Sequence, residues 1–242
     1  GRRSPVRRLT VFTISRRLPV TAPPDSDPLD VCLVALHALP AIQPDSCRPV
    51  GGTETRAWMF ARGLAARPDT RARFVVRSDQ GTQPFLAQGV QVQPRRDRLY
   101  AIDEAIGHSL QRQPDFPWVK VRHLRPGLLW QLPAAVAARL LGLGRGDPRA
   151  PDAFYQHLET DLFCTFGVQA NSARVIASAH AAGKPAVLMI GSDGDLDARY
   201  TPTSRYVSQY GDDARVCHWM LQQADTIVTQ TTQQKQLLQE RF

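Results

Sequence analysis

Cysteine is sparse in this chain. Of 242 residues only Cys32, Cys47, Cys164 and Cys217 are cysteines, and none forms a CxxC pair. That argues against a structural zinc site and a dense disulfide framework, and it points to a reduced, intracellular setting. No apolar run approaches the roughly 18 residues that a membrane span needs. The most apolar stretch, Leu132 to Leu143, is short and carries Arg139. HExxH, GxSxG and P-loop motifs are all missing, so the usual signatures of a zinc protease, an α/β-hydrolase and a P-loop phosphotransferase are not there. Lysine is also rare, three against 27 arginines, which reads as genome composition before function.

What is present is the make-up of a globular protein, with 43% hydrophobic and 21% charged residues in 26.9 kDa. That is enough chain for one large domain or two small ones. The net charge is +8, and residues 1–28, with six arginines and two aspartates, carry half of it. The remainder is mildly basic, which argues against a nucleic-acid partner. Residues 1–28 read as a disordered Arg/Pro-rich tail. Their arginines and the lack of any acid before Asp25 are also those of a transit peptide, a less favoured reading.

The fold is expected over residues 29–242. Apolar runs at Val31–Leu36, Ala72–Arg77, Val90–Gln93, Asp161–Phe166, Ala186–Ile190 and Thr226–Thr229 predict strands. Between them, helices are predicted from Glu54 to Pro68 with Thr53 as cap, from Asn171 to Ala182 closed by Gly183, from Asp212 to Gln223, and from Thr231 to Arg241. Alternating short strands and amphipathic helices imply an α/β protein: a Rossmann-like, doubly wound parallel sheet with helices on both faces. Residues 94–158 read as an insertion, with short helices near Asp103–Gln111 and Leu132–Leu143. Its segment Val119–Arg145 mixes basic and apolar residues. It can be a packed helical insert, the favoured reading, or a peripheral contact with an anionic membrane.

In open α/β sheets ligands bind beyond the carboxyl ends of the strands. His37, Gly51, Gly52, Thr53 and Glu54 follow the first strand, Asp193 and Asp195 the fifth, and Gln230 and Thr231 the last. A glycine pair before a helix lets backbone N–H groups approach a phosphate, and the helix dipole assists. The run Asp193, Asp195, Asp197 fails the EF-hand pattern, since Ala198 and Ser204 stand where Gly and Glu are required. A metal-binding DxD pair is left as a weaker option than a solvated loop. Of six histidines, His180 and His218 fall on predicted helices as structural residues, and His37 is the best site candidate.

Four stretches resemble the N-terminal domain of glycosyltransferase family 4-like enzymes of the GT-B fold. They are VGGTETRAWMFARGLAA, DLFCTFGVQANSARVIASAHAAGKPAVLMI, GSDGDL and ADTIVTQTTQQKQLLQERF. The resemblance implies a cytoplasmic enzyme, soluble or membrane-peripheral, that transfers a hexose from a nucleotide-sugar to a glycan, lipid-linked or small-molecule acceptor. It implies no metal or other cofactor and retention of configuration. Gly51 and Gly52 would approach the donor diphosphate, Glu54 would support their loop, and Asp193 and Gln230 would line the cleft. No catalytic residue is assigned. Many members carry a histidine where this chain has Ile190-Gly191. The family's two donor-binding glutamates, eight positions apart, belong to a C-terminal domain and have no counterpart among Glu54, Glu104, Glu159 and Glu240. The chain therefore reads as the acceptor-side half, poorly active alone. The rival expectation is a non-catalytic Rossmann-like module that binds a glycan or a protein.

Overall fold

A computed structural model describes residues 12–15, 27–43, 50–78, 83–97, 99, 102, 105–106, 109–112, 116–117, 119–141, 146–208 and 211–241. The chain forms two compact units. The first comprises Gly1–Val76, Pro84–Gln93 and Pro148–Phe242, and the second Arg77–Gln83 and Pro94–Asp147. The segment read as an insertion therefore divides: residues 94–147 belong to the second unit, whereas 148–158 join the first.

The first unit is built on an eight-stranded sheet. Its strands are β1 (Phe12–Ser15), β2 (Leu29–Val34), β3 (Thr70–Ser78), β4 (Phe85–Ala87), β5 (Val90–Arg96), β8 (Leu162–Phe166), β9 (Ala186–Met189) and β10 (Thr226–Thr229), in the order β1-β10-β9-β8-β2-β3-β5-β4. β6 (Leu110–Arg112) and β7 (Val119–Val121) form a separate antiparallel pair in the second unit. The five central strands, from β10 to β3, are parallel. The helices of the first unit are α1 (Leu39–Ile42), α2 (Gly52–Ala65), α4 (Ala153–Gln156), α5 (Ala170–Ala181), α6 (Ala214–Gln223) and α7 (Thr232–Arg241); α3 (Leu128–Leu140) lies in the second.

The sheet is buried on both faces, and the period of two along β2 shows how. Val31 and Leu33 enter one core with Ala57, Trp58 and Ala61 of α2, while Cys32 and Val34 enter the other with residues of α5 and α6. From β2 the chain passes through α2 to β3 on one side. From β8 it passes through α5 and α6 to β9 and β10 on the other. Reversing direction while keeping right-handed crossovers puts the helices on opposite faces. The expected α/β, Rossmann-like sheet is present, and β2 and β8 flank its topological switch point.

Several elements differ from the sequence reading. α2 begins at Gly52 with Gly51 as its N-cap, so Thr53 lies inside the first turn and caps nothing. β1 lies in the segment expected to be a loose tail and pairs antiparallel with β10. Its FTIS sequence offers apolar and β-branched residues to an otherwise open sheet edge. Residues 1–11 and 16–26 lie outside the described residues, as does Cys47. Of the helix expected near Asp103–Gln111, residues 105, 106 and 109 are helical, residues 103, 104, 107 and 108 lie outside the described residues, and Leu110–Arg112 is a strand, paired with Val119–Val121. α3 starts four residues earlier than expected and contains Pro133.

Candidate functional site

Three loops leave the carboxyl ends of β2, β8 and β9 and meet at Gly191. A Cβ placed there would lie 3.0 Å from Asp195 Oδ2, 3.4 Å from Thr53 Oγ1 and 3.6 Å from Gly167 Cα. No side chain fits without displacing one of these groups, which accounts for glycine at this position and leaves no room for a histidine. Gly167 itself has φ +76°, a left-handed conformation suited to glycine.

Asp195 is the buried centre of this junction. Its Oδ2 accepts N–H groups from Gly191 (2.6 Å) and Ser192 (3.2 Å), and Val168 N–H also donates to the carboxylate. Burial pushes the Asp195 carboxyl above its ordinary range, against the opposing pull of these donors and of Arg56. Arg56 donates from Nη2 to the Ile190 carbonyl at 2.8 Å, while its buried Nε has no partner. Desolvation lowers the guanidinium pKa, partly countered by Asp195. Gln230 Nε2 completes the junction by donating to the carbonyls of Ile190 (2.9 Å) and Gly191 (2.8 Å).

Asp193 and Thr231 serve the neighbouring helix. Gln234 donates from Nε2 to Asp193 Oδ1 at 2.7 Å, and its backbone N–H donates to Thr231 Oγ1 at 3.1 Å. Gln234 Oε1 accepts from Gln230 N–H at 2.9 Å, closing a reciprocal cap on α7. Asp197 pairs instead with Arg199, with Nη2 at 2.6 Å. The three carboxylates of the DxDxD run thus point at three different partners. Among the described residues, no three His, Cys, Asp or Glu side chains are grouped to hold a metal ion.

Beside the junction, at the ends of β2 and β8, lies a cavity of about 250 Å³. His37, Gly51, Gly52, Thr53 and Glu54 line it from the β2 side, and Thr165, Gln169 and Asn171 from the β8 side. The structure therefore brings together the first five candidates and leaves Asp193, Asp195, Gln230 and Thr231 off the cavity wall. Gly52 faces open space, whereas a Cβ on Gly51 would collide with the Glu54 carboxylate folded over it. At the start of α5, Ala170 N–H donates to Asp212 Oδ1 at 2.8 Å. Each of the two helix N-termini at this rim thus has one of the chain's own carboxylates against it. His180 and His218 are anchored structurally, His180 to Asp225 at 2.9 Å and His218 to the Tyr200 carbonyl at 3.2 Å.

No protein-family model matches the chain, and no curated protein matches its sequence. The site is therefore argued from its own geometry. Sequence reasoning missed Arg56 and Asp212. Arg56 sits near the positive end of α2, where the helix dipole disfavours a cation, so a compensating carboxylate was to be expected.

Proposed function

We propose that this chain is the acceptor-side domain of a glycosyltransferase that moves a sugar from a nucleotide-sugar to a glycan, lipid-linked or small-molecule acceptor. The observation that carries the proposal is the position of the cavity. It opens between β2 and β8, where the chain runs away in opposite directions, with the N-terminus of α2 on its rim. The resemblance of the glycine loop and the β8–α5–β9 stretch to family 4-like enzymes supplies the reaction class and the GT-B assignment.

The chemistry asked of these residues is electrostatic. Backbone N–H groups at Gly51 and Gly52 and the α2 dipole would stabilise the departing diphosphate. Glu54 lies over Gly51, so its carboxylate must swing aside as the anion enters. The sugar and base would be held by a facing domain, and the acceptor would enter past His37.

Gly52 supplies a clean test, because an added methyl meets nothing within 4 Å. In the natural gene product, Gly52→Ala should leave thermal stability unchanged or slightly raised and reduce kcat/KM for the nucleotide-sugar by about tenfold or more, because the methyl group would stand where the phosphate approaches the backbone. Unaltered kinetics in the folded variant would remove the diphosphate from this loop.

A second reading, a glycan- or protein-binding module without donor chemistry, draws on Glu54 and Asp212, which already satisfy the helix ends that an anion would seek. It predicts that the natural gene product turns over no nucleotide-sugar while still binding a glycan or protein ligand.

A further inference from the structure

We infer that the second unit carries a membrane-binding surface, formed by α3 and the basic segment before it, whose partner is an anionic lipid bilayer. The argument starts from exposure. On α3, Leu128, Ala135 and Ala138 are buried, yet the outward side of the same helix is apolar as well. Leu129 and Leu140 are each 83% exposed, and Trp130, Leu132 and Val136 are exposed too. A helix that is apolar all round is normally buried on all sides, and an exposed patch of this kind marks an interaction surface. α3 has 13 residues, or about 20 Å of helix, too short to span a bilayer and long enough to lie in its interface.

Charge selects the partner. From Phe116 to Gly146 the sequence contains no Asp or Glu, while Lys120, Arg122, Arg125, Arg139 and Arg145 are cationic. Lys120, Arg122 and Arg125 are all exposed, on β7 and the loop that leads directly into α3. Leu124, in that same loop, is 86% exposed. Cations beside apolar side chains match a surface of anionic headgroups over hydrocarbon. This inference does not depend on the donor chemistry proposed above.

The test is co-sedimentation of the full chain with vesicles of phosphatidylglycerol and, separately, of phosphatidylcholine. Pelleting is expected with the first and not with the second, and added salt should weaken it. Lys120→Gln/Arg125→Gln should lower the partition coefficient about 25-fold, since each cation near an anionic surface contributes about fivefold. Leu129→Gln/Leu140→Gln should lower it about tenfold or more, by removing immersed apolar surface. All four positions are exposed, so circular dichroism and melting temperature should be unchanged in both variants. Absence of pelleting with phosphatidylglycerol vesicles would overturn the inference, as would pelleting indifferent to both variants. A chain that ignores vesicles but self-associates in sedimentation velocity, with Leu129→Gln/Leu140→Gln abolishing the association, would assign this face to a second copy.

Discussion

Asp195 is where the competing forces at the rim can be weighed. Its carboxylate is nearly inaccessible, and burial disfavours its charge more than three N–H donors and Arg56 favour it, so the native pKa lies above the ordinary 3.8. A carboxyl with a raised native pKa holds its proton more tightly when folded. Its contribution to stability is complete below the unfolded value and is lost as pH rises through the native one. Asp195→Asn removes that dependence and keeps a carbonyl oxygen for Gly191 and Ser192. The melting temperature of the variant relative to the parent chain should therefore rise as the pH increases above about 4. A difference independent of pH would mean that Asp195 does not titrate in this range. Differential scanning calorimetry at matched ionic strength makes the comparison. The surface aspartates Asp69, Asp197 and Asp213, each lowered by hydrogen bonding to a neighbouring arginine, contribute the opposite trend to both proteins and cancel.

Among the elements, the β4–β5 hairpin shows what a sequence conceals. β4 has three residues and its Leu86 is 75% exposed, so there is no apolar alternation to detect. The turn is made by Gln88 (φ +49°) and Gly89 (φ +82°), both left-handed, the arrangement that two-residue hairpin turns favour. Gln-Gly is a weaker signal of such a turn than Asn-Gly. Gly89→Ala should destabilise by about 1–2 kcal/mol, the cost of a left-handed L-residue, and Gln88→Asn should stabilise by a few tenths of a kcal/mol. Urea midpoints of the two variants, shifted in opposite directions, would bear this out; equal midpoints would reject the turn geometry. The longer elements were legible because each pairs an apolar run with a physical stop: Pro68 beyond α2, and Gly183 (φ +69°) beyond α5. The rim was legible in part. Strand ends and the glycine pair located the cavity wall, but no pattern in the sequence reveals that Gln230 would grip the Ile190 and Gly191 carbonyls or that Asp193 would serve Gln234. Those contacts join residues 39 to 41 positions apart. α3 was legible as an apolar helix, and the outward direction of its leucines was not, because burial depends on what the rest of the chain supplies.

At the scale of the molecule, one sheet separates two cores, and three thiols sit in them. Cys32 on β2 and Cys217 on α6 belong to the core under α5 and α6, while Cys164 on β8 belongs to the core under α2. All three are buried, and burial raises each thiol to a pKa of about 12, so near neutral pH almost no thiolate is available. Alkylation at these positions should therefore require unfolding. β2 and β8 are adjacent parallel strands that contribute alternate residues to both cores, so neither core can open without removing one wall of the other. Pulsed alkylation across a urea series, read by peptide mass, should give Cys32, Cys164 and Cys217 a common midpoint. If Cys164 became reactive at lower urea than Cys32 and Cys217, the α2 layer would be opening before the sheet. The glycine loop, which α2 carries, would then sit on a layer that moves independently of the strands whose ends define the cavity. A common midpoint instead ties the loop's position to the stability of the whole sheet, as a preorganised anion site requires.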